Sequence, residues 1–351
     1  MKKILVTGAN GFIGSAVTHL LVEKGYTVRA MVREGSNLLN IKQLDVEILH
    51  GDIRDRASVC RAVGGMDAVF HMGALVSFWE PPERLHLFEA INVQGSRHVF
   101  DACLAADVEK VVYTSTLSTI GSFGANHPTT EEHSFNLWDM SMEYERSKYS
   151  AEFEAWRYAA RGLPLVAVLP SAPIGPRDIT PAPAGRLLIN LLNRKVPAYI
   201  DGGANFLHVD DAALGHLLAF EKGRVGERYL IGGQNISVKD LFAAVETLTG
   251  IKGPKIRMPT SLAIAYGHAL EFWANYVSQK CPVFTAPMAK FSSLHYYIDM
   301  TKAEHELGYL PTRSIALAVL EAVTWFVEHG YVTLPPSSRN TLQSNLRSEL
   351  G

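Results

Sequence analysis

Short apolar runs alternate with amphipathic stretches through the first 170 residues. Ile4 to Thr7, Thr27 to Val32, Val46 to His50, Ala68 to His71 and Val111 to Ser115 are rich in β-branched residues and read as buried strands. Between them, Phe12 to Lys24, Asp55 to Val63 and Glu83 to Ala106 place apolar residues at helical spacing. Glu143 to Ala160 predicts a further helix and Leu165 to Leu169 a sixth strand. Such alternation demands right-handed crossovers, so the fold class is α/β, a doubly wound parallel sheet covered on both faces.

The texture changes at Pro170. Prolines 170, 173, 176, 181 and 183 crowd one stretch, which predicts an ordered loop rather than a helix or central strand. Shorter elements follow: helices near Arg186 to Asn193, Asp211 to Phe220, Val238 to Thr249, Ser261 to Ser278 and Ile315 to Glu328, and a strand near Leu207. Residues 1–170 therefore form the expected nucleotide-binding half, with later segments returning to it. Residues 171–334 form a smaller, irregular lobe over the carboxyl ends of the strands. The polar, Ser-rich residues 335–351 are expected to be a flexible tail.

Composition narrows the function. Lys+Arg 33 against Asp+Glu 35 gives a net charge of -2, which offers no basic excess for nucleic acid. A charged fraction of 19% beside 47% hydrophobic residues suits a large buried core and excludes general disorder. Cys60, Cys103 and Cys281 are odd in number and far apart, so neither a disulfide framework nor a metal site is expected. Met258 to Leu270 is uncharged but too short to span a bilayer. A cytoplasmic protein is expected, with peripheral membrane association left open.

The candidate chemistry begins where the first strand meets Gly8, Ala9, Asn10, Gly11, Phe12, Ile13 and Gly14. Glycines three apart between a strand and a helix make a tight turn, let backbone approach a pyrophosphate, and aim free N–H groups at an anion. The reading is Rossmann-type dinucleotide binding. At the end of the second strand stands Arg33, where a guanidinium would pair with a 2′-phosphate, aided by Ser36 and Asn37. The cofactor is therefore read as NADP, with NAD as the alternative through neighbouring Glu34. Farther on, Tyr144 and Lys148 lie four apart on a helix, so phenol and ammonium share one face. The hydroxyls of Thr114, Ser115 and Thr116 sit at a strand's carboxyl end, where open α/β sheets bind ligands.

These motifs, with Asp52-Ile53, His71 to Ala74 and Phe206 to Asp211, occur in one order over nearly the whole chain. In that order the sequence resembles an extended short-chain dehydrogenase/reductase. The resemblance implies that Thr116 holds the substrate oxygen and Tyr144 moves its proton. It implies that Lys148 lowers the Tyr144 pKa and grips the nicotinamide ribose. Asp52 and Ile53 would flank the adenine, while Gly73, Ala74 and Pro170 would line the cofactor. Asn92 matches a family asparagine, with a helix-packing amide as the other reading. Ser77 and Ser171, beside Thr116, are the candidate substrate contacts, and no metal ligand set is expected. His208, with Asp210 and Asp211, is read as a helix cap. Phe272, Trp273, Tyr276 and Phe284 either wall an apolar pocket or pack the core.

At the end of the sixth strand, Leu169-Pro170-Ser171-Ala172-Pro173-Ile174-Gly175-Pro176 lacks the arginine and asparagine of nucleotide-sugar epimerases and dehydratases. Pro170 instead resembles the dihydroflavonol-reductase and 3β-hydroxysteroid-dehydrogenase branches, and the fuller stretch resembles hopanoid-associated sugar epimerase-type proteins. The expectation is a carbonyl/alcohol oxidoreductase acting on a fairly apolar small molecule. An epimerase or dehydratase with tightly held NAD, and a cofactor-binding regulator, are the alternatives. The family's active-site helices further imply a homodimer, with Phe100, Leu104, Phe153 and Trp156 available to interlock.

Overall fold

The computed structural model describes residues 2–138, 142–278, 282 and 284–350; Cys281 lies outside them. Strands β1 (Lys3–Thr7), β2 (Thr27–Val32), β3 (Glu47–His50), β4 (Ala68–His71), β5 (Lys110–Thr114) and β6 (Leu165–Pro170) are joined by helices α1 (Phe12–Glu23), α2 (Arg56–Val63), α3 (His86–Phe88), α4 (Gly95–Ala105) and α5 (Glu143–Ala160). The remaining elements are β7 (Ala172–Ile174), α6 (Pro183–Leu192), β8 (Gly203–His208), α7 (Val209–Lys222), β9 (Arg228–Ile231), β10 (Gln234–Ser237), α8 (Val238–Thr249), α9 (Thr260–Trp273), α10 (Ala286–Ser292), β11 (His295–Tyr296), α11 (Thr301–Leu307), α12 (Ile315–Glu328) and α13 (Pro336–Leu350).

Seven parallel strands make the main sheet in the order β3-β2-β1-β4-β5-β6-β9. Chain direction reverses across the sheet between β1 and β4, and such a switch point opens a crevice beyond the strands' carboxyl ends. Leu5, Val69 and Val111 face a core shared with α2, α4 and α5. Ile4, Val6 and Phe70 face the opposite core, filled by α1 and α7. The lobe has its own core around Phe242, Val319 and Phe326, and its own sheet, in which β8 lies between β10 and β11 and also pairs with β7. Later segments rejoin the main unit, since β9 completes the sheet beside β6 and α7 packs on α1.

Three expectations change. Glu83 to Ala106 is not one continuous α-helix, because a π-helical stretch, Glu89–Gln94, separates α3 from α4. The proline-rich segment is not all loop, for Ala172–Ile174 pairs with Phe206 to His208; this short strand lies at the margin of the small sheet, where proline is tolerated. Residues 336–350 are helical rather than a flexible tail. Helix α13 spans them, with Leu342 buried in the lobe core and Leu346 packed beside it. Two leucines four apart give an otherwise polar helix a narrow apolar edge, enough to dock it.

Candidate active site

The dinucleotide cradle is built from backbone. Gly8 follows β1 with φ +69, in the left-handed region that glycine alone enters freely. The N–H of Gly11 donates to the carbonyl of Gly8 at 3.0 Å, closing the turn. A Cβ on Gly14 would collide with that same carbonyl, and one on Gly8 would stand 2.9 Å from Cα of Gly73. So the loop after β1, the first turn of α1 and the loop after β4 touch only because side chains are missing. Helix α1 starts at Phe12 with no side-chain cap and no acid in its first turn. Its leading N–H groups, with the helix dipole, remain for an anion. These features fit a dinucleotide pyrophosphate.

A clasp not foreseen from sequence locks the same edge. The Thr7 hydroxyl oxygen accepts from the N–H groups of Met72 and Gly73, both at 3.1 Å, and lies 2.8 Å from Nδ1 of His71. With its lone pairs occupied, the hydroxyl donates to Nδ1, which leaves the His71 proton on Nε2, 2.9 Å from Ser96. Ser96 in turn donates to the carbonyl of Asn92. Burial, with the nearby Lys148 charge, pushes the His71 pKa down to about 3, so the ring is neutral. Gly73 and Ala74 are thereby set at the floor of the crevice.

At the adenosine end, Arg33 stands exposed just beyond β2, and its charge helps to hold the Asp52 carboxyl below the usual range. The larger cause is Arg54, whose guanidinium grips Asp52 at 2.7–3.1 Å. Glu34 lies 3.5 Å from His50 and is 88% exposed. Ile53 packs against Gly73 and Gly95, and the Asn10 amide donates to the carbonyl of Asn37 at 3.2 Å.

The reacting end is assembled by β5 and α5. Thr116 caps a short 3-10 turn, accepting from the N–H of Ser118 at 3.3 Å, and its hydroxyl lies near enough to the Tyr144 phenol to favour the charged form. Lys148, one turn on, is buried and donates to the carbonyl of Thr114 at 2.7 Å and the hydroxyl of Tyr113 at 3.1 Å. Two of its three hydrogens are thus occupied, leaving one for a ribose hydroxyl. Burial lowers the Lys148 pKa to about 8, while Glu152 opposes that shift. The expected lowering of Tyr144 by Lys148 is absent: burial raises the phenol, next Glu145 raises it, and only Thr116 pulls it down. The ammonium lies over the Tyr113 ring, 4.6 Å from its centroid.

Beneath these groups lies an ion pair between buried Glu152 and half-buried Arg228. Glu152 accepts from the hydroxyls of Ser115 and Thr119 and pairs with Arg228 at 2.9 Å. Arg228 also donates to the carbonyls of Glu131 and His133, tying β9 to the segment ahead of α5. The only clue in the sequence was position: Tyr144, Lys148 and Glu152 recur every four residues.

Several expected contacts are engaged elsewhere. Asn92 accepts from the N–H of Leu75 at 2.7 Å and donates to its carbonyl and to Ser147; it positions the post-β4 loop against α5. Ser77 donates to the carbonyl of Trp79, and Ser171 to Asn205 at 2.7 Å within a side-chain chain to Asn235. Neither serine hydroxyl points to a substrate role. Pro170 ends β6 in register with Ile231, buried at the crevice wall. His208 accepts from the N–H of Asp210 at the start of α7 and lies 3.0 Å from Glu321. Phe272, Trp273 and Tyr276 neither wall a pocket nor pack the core, because all three are exposed. The aromatic wall instead consists of Phe78, 6.1 Å from the Tyr144 ring, then Phe291 and Tyr296 stacked behind it. Sequence reasoning missed these three, since they come from a loop, a short helix and a two-residue strand.

A parallel sheet with a glycine cradle at its switch point and a Tyr–Lys pair across the crevice defines an NAD(P)-dependent enzyme of the extended short-chain dehydrogenase/reductase type. Residues 4–232 match the NAD dependent epimerase/dehydratase family, and the chain belongs to it. It is similar to a Synechocystis protein provisionally named dihydroflavonol 4-reductase, 37% identical over 93% of this chain and 95% of that one. Sterol demethylase protein B of Methylococcus capsulatus is 31% identical over 93% of this chain and 99% of its own. The crystal structure of gox2253 superposes with a TM-score of 0.83 at 36% identity, covering 95% of this chain and all of that one.

Proposed function

We propose that this chain is an NADP(H)-dependent oxidoreductase that interconverts a ketone or aldehyde and an alcohol on a fairly apolar small molecule. The observation that carries the reading is the buried Tyr144 phenol, one helical turn from Lys148, beside Thr116 and facing an aromatic wall. The bound nicotinamide supplies or accepts the hydride. Thr116 orients the substrate oxygen by its hydroxyl. Tyr144, held protonated by burial, donates its proton to that oxygen as charge develops there. In the alcohol direction the phenol first gives its proton to solvent, and the phenolate then accepts the alcohol's proton as the hydride leaves; the Thr116 hydroxyl favours that charged form. Lys148 holds the ribose and keeps a positive charge behind the site. Gly8, Gly11 and Gly14, with the first turn of α1, hold the pyrophosphate.

Arg33 supports NADP, because it is exposed at the end of β2 while Glu34 turns toward His50. The name of the Synechocystis relative supports reduction, and that of the Methylococcus relative an apolar substrate. Mass spectrometry of the co-purified cofactor, followed by exchange, tests the reading. Exchangeable NADPH with turnover of apolar ketones is expected; tightly retained NAD with turnover of a nucleotide sugar would overturn it.

A homodimer through α5 remains part of the proposal, with a narrower contact than the sequence implied. Phe100 is fully buried against the sheet, and Leu104 and Trp156 pack on the same core. Phe153 stays 59% exposed and is left to carry the contact. Light scattering should show a dimer that Phe153→Glu converts to monomer, and a monomeric wild type would remove it.

A further inference from the structure

Helix α9 and the π-helical turn after it, Ala274–Ser278, carry two stripes of unequal size. Ala263, Gly267 and Ala274 are buried. Gly267 presses on the start of α10 so closely that a Cβ would collide with the backbone of Thr285 and Ala286. Leu262, Tyr266, Trp273, Tyr276 and Val277 recur at helical spacing on a neighbouring face and are exposed, Trp273 by 58% and Tyr276 by 76%. In water alone a helix would bury its large apolar side chains and expose its small ones. Here the order is inverted over about 22 Å of helix. The small stripe fixes an orientation that keeps the large residues out.

The flank gives this face its partner. Lys252, Lys255 and Arg257 are exposed just before α9, Ile256 among them is 68% exposed, and no acid occurs from 252 to 270. Arg257 pairs with Asp201, and Glu271 lies 3.3 Å from His268, so the acids nearby are already engaged. We propose that α9 docks on an anionic lipid bilayer, lying in its surface with Trp273, Tyr276 and Tyr266 at headgroup depth. Aromatic and aliphatic residues beside a basic run are the composition of a surface-bound helix. Among the described residues no helix is long and apolar enough to cross a membrane, so the attachment is one-sided. The face also lies one helix from the site: α9 packs on α10, whose Phe291 belongs to the aromatic wall.

The test is flotation of the full chain with vesicles of phosphatidylcholine plus phosphatidylglycerol, and of phosphatidylcholine alone. Binding to the anionic vesicles is expected, falling about tenfold or more in Tyr266→Glu/Trp273→Glu, whose exposed sites leave unfolding temperature and cofactor affinity unchanged. Lys252→Glu/Lys255→Glu, or raised salt, should weaken binding by a similar factor. Absence of binding to either vesicle, equal binding to both, or full binding by the aromatic variant would overturn the proposal. So would a fall in native mass of that variant, which would give the face to a second copy.

Discussion

The two walls of the crevice are built on different terms. On the sheet side, the groups proposed to meet cofactor and substrate follow strand ends within a few residues: Gly8 after β1, Gly73 after β4, Thr116 after β5. Their positions are set by missing side chains and backbone hydrogen bonds, as where Gly14 rests on the Gly8 carbonyl and Thr7 draws in the loop at Gly73. On the lobe side, the small sheet is assembled from residues 172–174, 203–208, 234–237 and 295–296. The wall residues Phe78, Phe291 and Tyr296 arrive from distant parts of the chain. The comparison separates two jobs. On the proposed reading, the sheet side fixes the cofactor and the proton chemistry, and the lobe side decides which molecule meets them.

That separation can be broken most forcefully at Gly14. Gly14→Ala forces a Cβ into a backbone oxygen that has no room to move, and overpacking of this kind costs about 1–3 kcal/mol. The strain falls on the turn that faces the pyrophosphate, so calorimetric titration should show cofactor affinity lost by about tenfold to a hundredfold. Unchanged affinity would remove the cradle from the account.

A smaller effect sharpens the same wall. Arg33→Ala removes a charge-assisted pairing worth roughly 1.5–3 kcal/mol. NADPH affinity should fall about tenfold or more while NADH affinity stays nearly unchanged. Equal losses for both cofactors would strip Arg33 of its role.

The third effect concerns stability behind Tyr144. The N–H of Met142 donates to one Glu145 oxygen, the other oxygen is buried without a partner among the described residues, and burial raises the carboxyl's pKa to about 7. A folded-state pKa above the unfolded one means the native state binds the extra proton. Glu145 therefore costs stability as pH rises from about 4.5 to about 7. Glu145→Gln retains the acceptor for Met142 and should stabilise the protein by about 1–3 kcal/mol at pH above 7. At acid pH the gain should shrink toward zero. His71 and His216, lowered by burial to about 3 and about 4, lose stability on acidification instead, so the comparison must be variant against wild type. A gain independent of pH would contradict the buried carboxyl.

Legibility in the sequence follows the same divide. Strands β2 and β4 matched their apolar runs to the residue, as did helices α5, α8 and α12, because each buries a continuous run or stripe. The glycine spacing and the Tyr144–Lys148 pair were readable because local geometry brings those residues together. The break at Glu89–Gln94 was not, since there Asn92 reaches out to Leu75 and Ser147. Strands β7 and β11 are three residues or fewer, below the length at which alternation shows. Trp273 and Tyr276 were misread for a physical reason: periodicity reveals that a helix has stripes, but packing decides which stripe turns inward.

The central claim is that Tyr144 gives the proton from a site whose cofactor is held elsewhere. Single-turnover rates of wild type and Tyr144→Phe, at matched and saturating NADPH, test it most directly. Loss of a positioned general acid should slow the chemical step about 10²–10⁴-fold, with cofactor affinity and folding retained. A reduction of less than about tenfold, too small for a general acid, would contradict the account.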